Sequence, residues 1–251
     1  MAPRPPAHTR KYPCERCPLR NLEIFRPFKR EELEFVSHLK TGELTAEAGT
    51  TIMAEGSHSA HLLTVLSGWG FRYKLLENGN RQILNVILPG DFIGLQGAIM
   101  DEMQHSVEAL SDMFLCVFER ERLWELYRDH PGLAFDITWL ASREEQVLDE
   151  HLLNLGQRTA AARTAFLLLF LFSRAQDRGM TRGASVTFPL TQQHVADMLG
   201  LSLVHTNRTL NQLARKKLIA WQDRTLRLLD RDALADLANW DDTVSVQRPY
   251  I

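Results

Sequence analysis

The chain has 251 residues, of which 45% are hydrophobic and 24% charged, and a net charge of −2. That is enough length for two domains with separate cores, and too balanced a total charge to point to nucleic acid by itself. There is no run of 18 apolar residues, no apolar stretch in the leading MAPRPPAHTRKYP, and only three cysteines, so a helical membrane protein, a secretory leader and a disulfide scaffold are excluded and a cytoplasmic protein is predicted.

In chain order, the first residues are rich in Pro and Arg and predict a flexible N-terminus, 1–26, that carries Cys14 and Cys17. Residues 29–39 place Leu33, Val36 and Leu39 at helical spacing. From Gly42 to Phe118 short alternating segments are broken by glycine, and Glu77-Asn78-Gly79-Asn80 carries the strongest hairpin signal. This pattern predicts an antiparallel β-roll within a sensor domain, 27–131. From Pro131 the period becomes helical. Leu133, Ile137, Leu140, Glu144, Leu148, His151 and Leu155 follow at steps of three and four, the spacing of a coiled-coil seam. A dimerisation helix over 132–157 is predicted, with Leu140, Leu148, His151 and Leu155 facing a second copy; packing of the same stripe on the chain's own β-roll is the alternative. AFLLLFLF, at 165–172, lies in the next helix, Gln157–Gln176.

Residues 190–215, LTQQHVADMLGLSLVHTNRTLNQLAR, read as a helix-turn-helix. Thr191 is suited to cap a helix over Gln192–Leu199, Gly200 supplies the tight turn, and Ser202 caps a second helix. On that helix Thr206, Leu210 and Leu213 face inward, which leaves Leu203, Val204, Asn207, Arg208 and Asn211 outward. WQDRTLRLLD then alternates as two short strands around a polar turn, a wing. Residues 158–231 hold 12 Lys/Arg against four Asp, a local balance of +8, so a basic reader, 158–240, follows an acidic sensor, and a tail, 241–251, closes the chain.

VILPGDFIG around Asp91, a long helix and LTQQHVADMLGLS, in that order, resemble the CRP/FNR family of bacterial transcription regulators from Cys14 to about Asn239. The resemblance implies an α+β chain made of a cyclic-nucleotide-binding-like β-roll, a dimerisation helix and a winged helix-turn-helix. It also implies three partners, double-stranded DNA, a second copy of the chain and RNA polymerase, and no catalytic activity. By that resemblance Arg208 reads guanine. Val204 stands where the family has a glutamate that accepts from cytosine, so Leu203 and Val204 are left to thymine methyls, and Asn207 reads adenine or supports Arg208. Ser202, His205, Gln192 and Thr191 are assigned to phosphates.

Relatives that bind cyclic AMP use a carboxylate in a Gly-Glu-Leu-Gly turn, an Arg-Ser pair and two hydroxyls on the long helix. Here Leu95, His105-Ser106, Leu148 and Asp149 occupy those places, so no cyclic nucleotide is expected. Cys14 and Cys17 resemble the N-terminal motif of the oxygen-sensing branch, and Cys116 its distant ligand; Glu23 is the candidate for the missing fourth. An iron–sulfur cluster, a thiol or zinc role, and no cofactor remain open at this point. Leu148 also replaces an acidic residue of that branch, so dimerisation is expected without a cluster. His58 and His61 read as residues of a solvated loop.

Overall fold

The alternation between Gly42 and Phe118 closes into a β-roll in the structure, a computed structural model that describes residues 12–241 and 247–251. Residues 1–11, part of the N-terminus expected to be flexible, lie outside the described residues. A helix α1, Arg30–Leu39, leads into β1, Lys40–Ala46, β2, Thr51–Met53, β3, His61–Ser67, β4, Gly70–Leu75, β5, Arg81–Ile87, and β6, Phe92–Ile93. A short α2, Leu95–Met100, precedes β7, Ser106–Ala109, and β8, Met113–Glu119. Two antiparallel four-stranded sheets, in the orders β1-β8-β3-β6 and β2-β7-β4-β5, face each other across the core. The Asn-Gly signal is a real turn: Leu76 N donates to Asn80 O, and Gly79 sits at φ +83°.

Helix α3, Leu123–Asp129, is followed by α4, Pro131–Gln157, and α5, Ala160–Asp177. The chain breaks at Arg158–Thr159, where Thr159 accepts from Ala162 N and caps α5. The helix expected from Gln157 therefore starts three residues later. The reader continues with β9, Thr181–Arg182, β10, Ser185–Thr187, α6, Gln192–Leu199, α7, Leu203–Arg215, β11, Ile219–Gln222, β12, Thr225–Leu228, and α8, Arg231–Ala238. Every residue from Thr164 to Phe172 is buried, because α5 has the β-roll on one side and α7 and α8 on the other.

Two expectations change. Residues 12–26 do not hang free: two short 3-10 turns, Cys14–Arg16 and Pro18–Asn21, bury Cys14, Leu19 and Phe25 against the roll. On α4, Leu133, Ile137 and Leu140 are buried inside their own chain, packed with α1 and α3 residues, so the first half of the expected seam is intramolecular. His151 packs its ring against Phe170 at 5.3 Å. The exposed apolar residues of α4 are Phe135, Leu148, Leu152 and Leu153, with Leu155 half-buried.

One carboxylate joins the parts. Asp91, 5% exposed, accepts from Arg174 on α5 at 2.6 Å, from Arg178, which caps the end of α5, at 3.2 Å, from Arg248 at 2.8 Å, and from Leu88 N at 2.8 Å. Burial works against its charge, but Arg174, Arg248 and Arg178 together hold the carboxyl well below the usual carboxylate range. Replacing Asp91 by Asn should lower the unfolding free energy by about 3–5 kcal/mol, because it strands buried cations without their counter-charge. Urea unfolding measures this, and a change under about 1 kcal/mol would remove the knot from any account of stability.

Candidate nucleic-acid interface and sensor cavities

The reader's geometry follows from its caps. Thr191 Oγ1 accepts from His194 N at 3.2 Å while Thr191 N donates to His194 Nδ1 at 3.1 Å, a reciprocal pair that starts α6. Gly200, at φ +61°, ends it, and Ser202 Oγ accepts from His205 N at 3.2 Å to start α7. Thr206, Thr209, Leu210 and Leu213 are buried, as the periodicity requires. Leu203, Val204, His205, Asn207, Arg208 and Asn211 are all exposed on the opposite face.

That face is partly pre-arranged. Asn207 Nδ2 donates to Gln192 Oε1 at 2.8 Å, and Asn211 Nδ2 donates to Asn207 Oδ1 at 2.8 Å, so a residue expected at a phosphate is linked to two on the base-facing side. Arg208 has no ion pair or hydrogen bond among the described residues, and its five donors are open to a ligand. Asp223 and Arg224, both at positive φ, form the two-residue turn of the wing, with Arg224 exposed at its tip. Between wing and α7 runs a cleft of about 290 Å³, lined by Thr191, Gln192, Asn211, Trp221 and Arg224. Basic groups, open donors and a helix N-terminus on one surface are what phosphates and base edges require.

Two cavities of the sensor, among the described residues, bear on ligand binding. The larger, about 250 Å³, lies between β-roll and α4 and is lined by Arg72, Leu95, His105, Glu144, Leu148 and Arg248, among others. Arg72 is tied to Glu144, which also accepts from Asn85 Nδ2. His105 is buried, and burial, helped by the nearby Arg72, pushes its pKa down to about 4, so it is neutral at pH 7. In the same wall Arg72 is paired with Glu144 and Arg248 with Asp91, and Glu145 and Leu95 stand beside them. Paired cations, carboxylates and a neutral ring do not fit a cyclic phosphate.

The smaller cavity, about 20 Å³, has all three cysteines in its wall, with Leu19, Phe118, Tyr250 and Ile251. Burial raises the thiol of Cys17 and pushes that of Cys116 up to about 12, although the Lys40 ammonium hydrogen-bonds Cys116. The sequence therefore picked out three residues that do meet in space. Glu23 does not join them; it is exposed, and its backbone oxygen accepts from Gln247. A space for about one water does not fit a four-iron cluster. Among the described residues no three His, Cys, Asp or Glu are placed to hold a metal ion. His58 lies in an exposed loop beside Asp101 and Glu102, at 3.6 and 3.7 Å.

Reader and sensor also touch directly, which the sequence did not reveal. Arg81 on β5 pairs with Asp197 on α6 at 2.8 Å, Gln82 donates to Met198 O at 3.1 Å, and the His194 ring lies 5.4 Å from that of Phe71.

Comparison with known proteins agrees with this geometry. Residues 43–130 match the cyclic nucleotide-binding domain and residues 162–237 the Crp-like helix-turn-helix domain. The chain is 31% identical over 227 residues to the nitrogen fixation regulation protein FixK of Bradyrhizobium diazoefficiens, which spans 90% of this chain and 93% of that one. It is 28% identical over 214 residues to the transcriptional activator protein FnrL of Cereibacter sphaeroides, 84% of this chain and 85% of FnrL. The structure of FixK2 from Bradyrhizobium japonicum superimposes with a TM-score of 0.70 at 26% identity, over 80% of this chain and 98% of that chain.

His105 and His151 share one consequence. Burial is the main cause that brings each down to about 4 from an ordinary 6.5, with Arg72 beside His105 and Arg174 beside His151 adding to it. Between those values the unfolded chain binds more protons than the folded one, so stability rises with pH across that window and is lost as pH falls through it. Urea midpoints measured from pH 4 to 7 should show that slope, and His105→Gln should flatten it. An equal slope in both proteins would show that His105 titrates freely.

Proposed function

The chain belongs to the CRP/FNR family of bacterial transcription regulators, and from that premise we propose that it acts in the cytoplasm as a homodimer on a two-fold symmetric operator, with α7 as the reading helix. It is a DNA-binding regulator of CRP/FNR type. The observation that carries the finer reading is the exposed face of α7, where the open guanidinium of Arg208 stands beside the Gln192–Asn207–Asn211 ladder.

Arg208 donates in bidentate fashion to guanine O6 and N7, and Asn207, held by Gln192, reads or supports next to it. Leu203 and Val204, 47% and 74% exposed, offer only apolar contact, so the half-site is loosely specified there. Thr191, Ser202 and His205 hold phosphates and set register. The second copy docks on the exposed stripe of α4 centred on Leu148, Leu152 and Leu153, with Leu155 at its edge. Two-fold pairing there gives the two readers one half-site each. A redox or metabolic signal enters through the β-roll, whose larger cavity touches both α4 and Asp91. FnrL carries the name of an activator, and activation here would require contact with RNA polymerase.

Selection of binding sites from random DNA tests the reading. Arg208→Ala should weaken specific binding by about 1–3 kcal/mol and relax one guanine per half-site, while salt-dependent nonspecific binding persists. Val204→Glu should favour cytosine at the neighbouring pair by a comparable amount. An unchanged motif from Arg208→Ala would show that α7 is not the reading helix.

The oligomer has its own test. Sedimentation at micromolar concentration, without metal or nucleotide, should give a dimer, and Leu148→Asp or Leu152→Asp should shift it to monomer. A wild-type monomer would refute the seam.

A further inference from the structure

Residues 247–251 follow the reader in sequence but are built into the sensor. Arg248 pairs in parallel with Phe25: Arg26 N donates to Arg248 O at 2.9 Å, and Arg248 N donates to Ile24 O at 2.8 Å. The guanidinium of Arg248 reaches Asp91, and the Tyr250 ring packs 5.1 Å from Phe25 and 4.7 Å from Phe28. Thr64 Oγ1 donates to Ile251 O. Tyr250 and Ile251 are each 3% exposed, and both form the wall of the cavity on which Cys14, Cys17 and Cys116 converge. Gly90 permits this closure, since a Cβ there would run into the Phe25 ring on which the segment rests.

We propose that segment 247–251 is an internal clasp that closes a three-thiol modification site and at the same time ties the reader to the sensor. Seated, it covers Cys14 and Cys116 and leaves Cys17 half-buried, which keeps the three thiols slow to react. Released, it opens Cys14, Cys17 and Cys116 to a small disulfide. A thiolate then attacks one sulfur of the reagent, a protein–reagent mixed disulfide forms, the reagent's S–S bond breaks, and the second thiol leaves with the electron pair. The added group occupies a cavity with room for about one water, so the clasp cannot close over it.

The same five residues carry Arg248 to Asp91, where Arg174 of α5 and Arg178 at its end also bind. Release therefore removes one of three cations from the knot that holds α5 to the roll. The other end of the link is fixed too: Arg158, in the α4–α5 break, donates to the last carbonyl of α8, Ala238 O, at 3.0 Å. The chain from Asp241 to Gln247 spans at most roughly 20 Å. A swing of the reader that carries Asp241 beyond that reach and a seated clasp are mutually exclusive, so each must bias the other by the same factor.

Thiol labelling of the full-length protein by an aromatic disulfide, under native conditions, tests this. Tyr250→Ala should label at least tenfold faster than wild type, ahead of global unfolding followed in the same sample. Tyr250→Phe should label no faster than wild type, because the buried hydroxyl has no hydrogen-bond partner among the described residues. If Tyr250→Ala does not fold, Arg248→Gln carries the same test. Saturating operator DNA should change the wild-type rate at least threefold and leave the Tyr250→Ala rate unchanged. Equal rates in folded wild type and variant, or a DNA-bound wild type that labels as the free protein does, would overturn the clasp. If no DNA binds, the reader assignment fails, and the comparison of the variants still decides whether the clasp exists.

Discussion

A single buried carboxylate sets the relation between the halves of this molecule. Asp91 sits in the turn before β6, and the three guanidiniums around it come from two places distant in sequence, α5 and the tail. One negative charge does not neutralise three positive ones, so the excess is spread over backbone carbonyls: Arg174 donates to Val86 O, and Arg178 to Pro89 O and Arg174 O. Arg178 feels the shortage most; burial brings it down to about 9 despite Asp91. Such a knot admits few alternatives. Any movement of α5 away from the roll must either carry the cations into water or leave Asp91 bare, and intermediate positions are the most costly.

Around this polar centre the apolar packing is continuous rather than divided. Trp69 and Phe71 of the roll belong to the same buried cluster as Phe188, Val195 and Met198 of the reader, and Trp69 meets Phe188 edge to face at 5.9 Å. The Arg81–Asp197 pair closes the rim of that contact on α6, whose partner α7 carries the side chains proposed to read bases. One helix, α6, therefore lies between the β4–β5 hairpin and α7.

The local features were legible in the sequence because local rules produce them. Thr191, Gly200 and Ser202 mark the ends of α6 and α7, and the inward face of α7 follows from a period that only one orientation satisfies. The Asn78-Gly79 turn is equally local. Charge was legible only as a total. Of the 12 basic residues counted toward phosphate neutralisation, Arg174 and Arg178 are spent on Asp91, and Arg158 and Arg163 on backbone carbonyls. Six of the exposed cations lie on or next to α7 and the wing: Arg208, Arg215, Lys216, Lys217, Arg224 and Arg227, while Arg182 is exposed on β9. The stripe on α4 was ambiguous for a related reason, since steps of three and four describe residues packed on their own chain, as Leu133, Ile137 and Leu140 are, as well as residues awaiting a partner. The tail gave no signal at all, because a five-residue segment paired across more than two hundred positions has neither period nor composition to announce it.

The cysteines join these strands of argument. The family resemblance grouped Cys14, Cys17 and Cys116, and all three line one cavity, yet the resemblance says nothing of what fills the remaining direction. In this chain that direction is filled by Leu19, Tyr250 and Ile251, all apolar or packed as such, where a fourth ligand would be needed. The larger cavity is likewise furnished with a neutral His105 and a paired Arg72 in place of an open phosphate site. Both family ligand positions are altered, but the walls of both still lead to Asp91. Arg248 lines the larger cavity, and Tyr250, two residues on, lines the smaller. Both spaces therefore border the same five-residue segment, whose Arg248 reaches the carboxylate that holds the end of α5 to the roll.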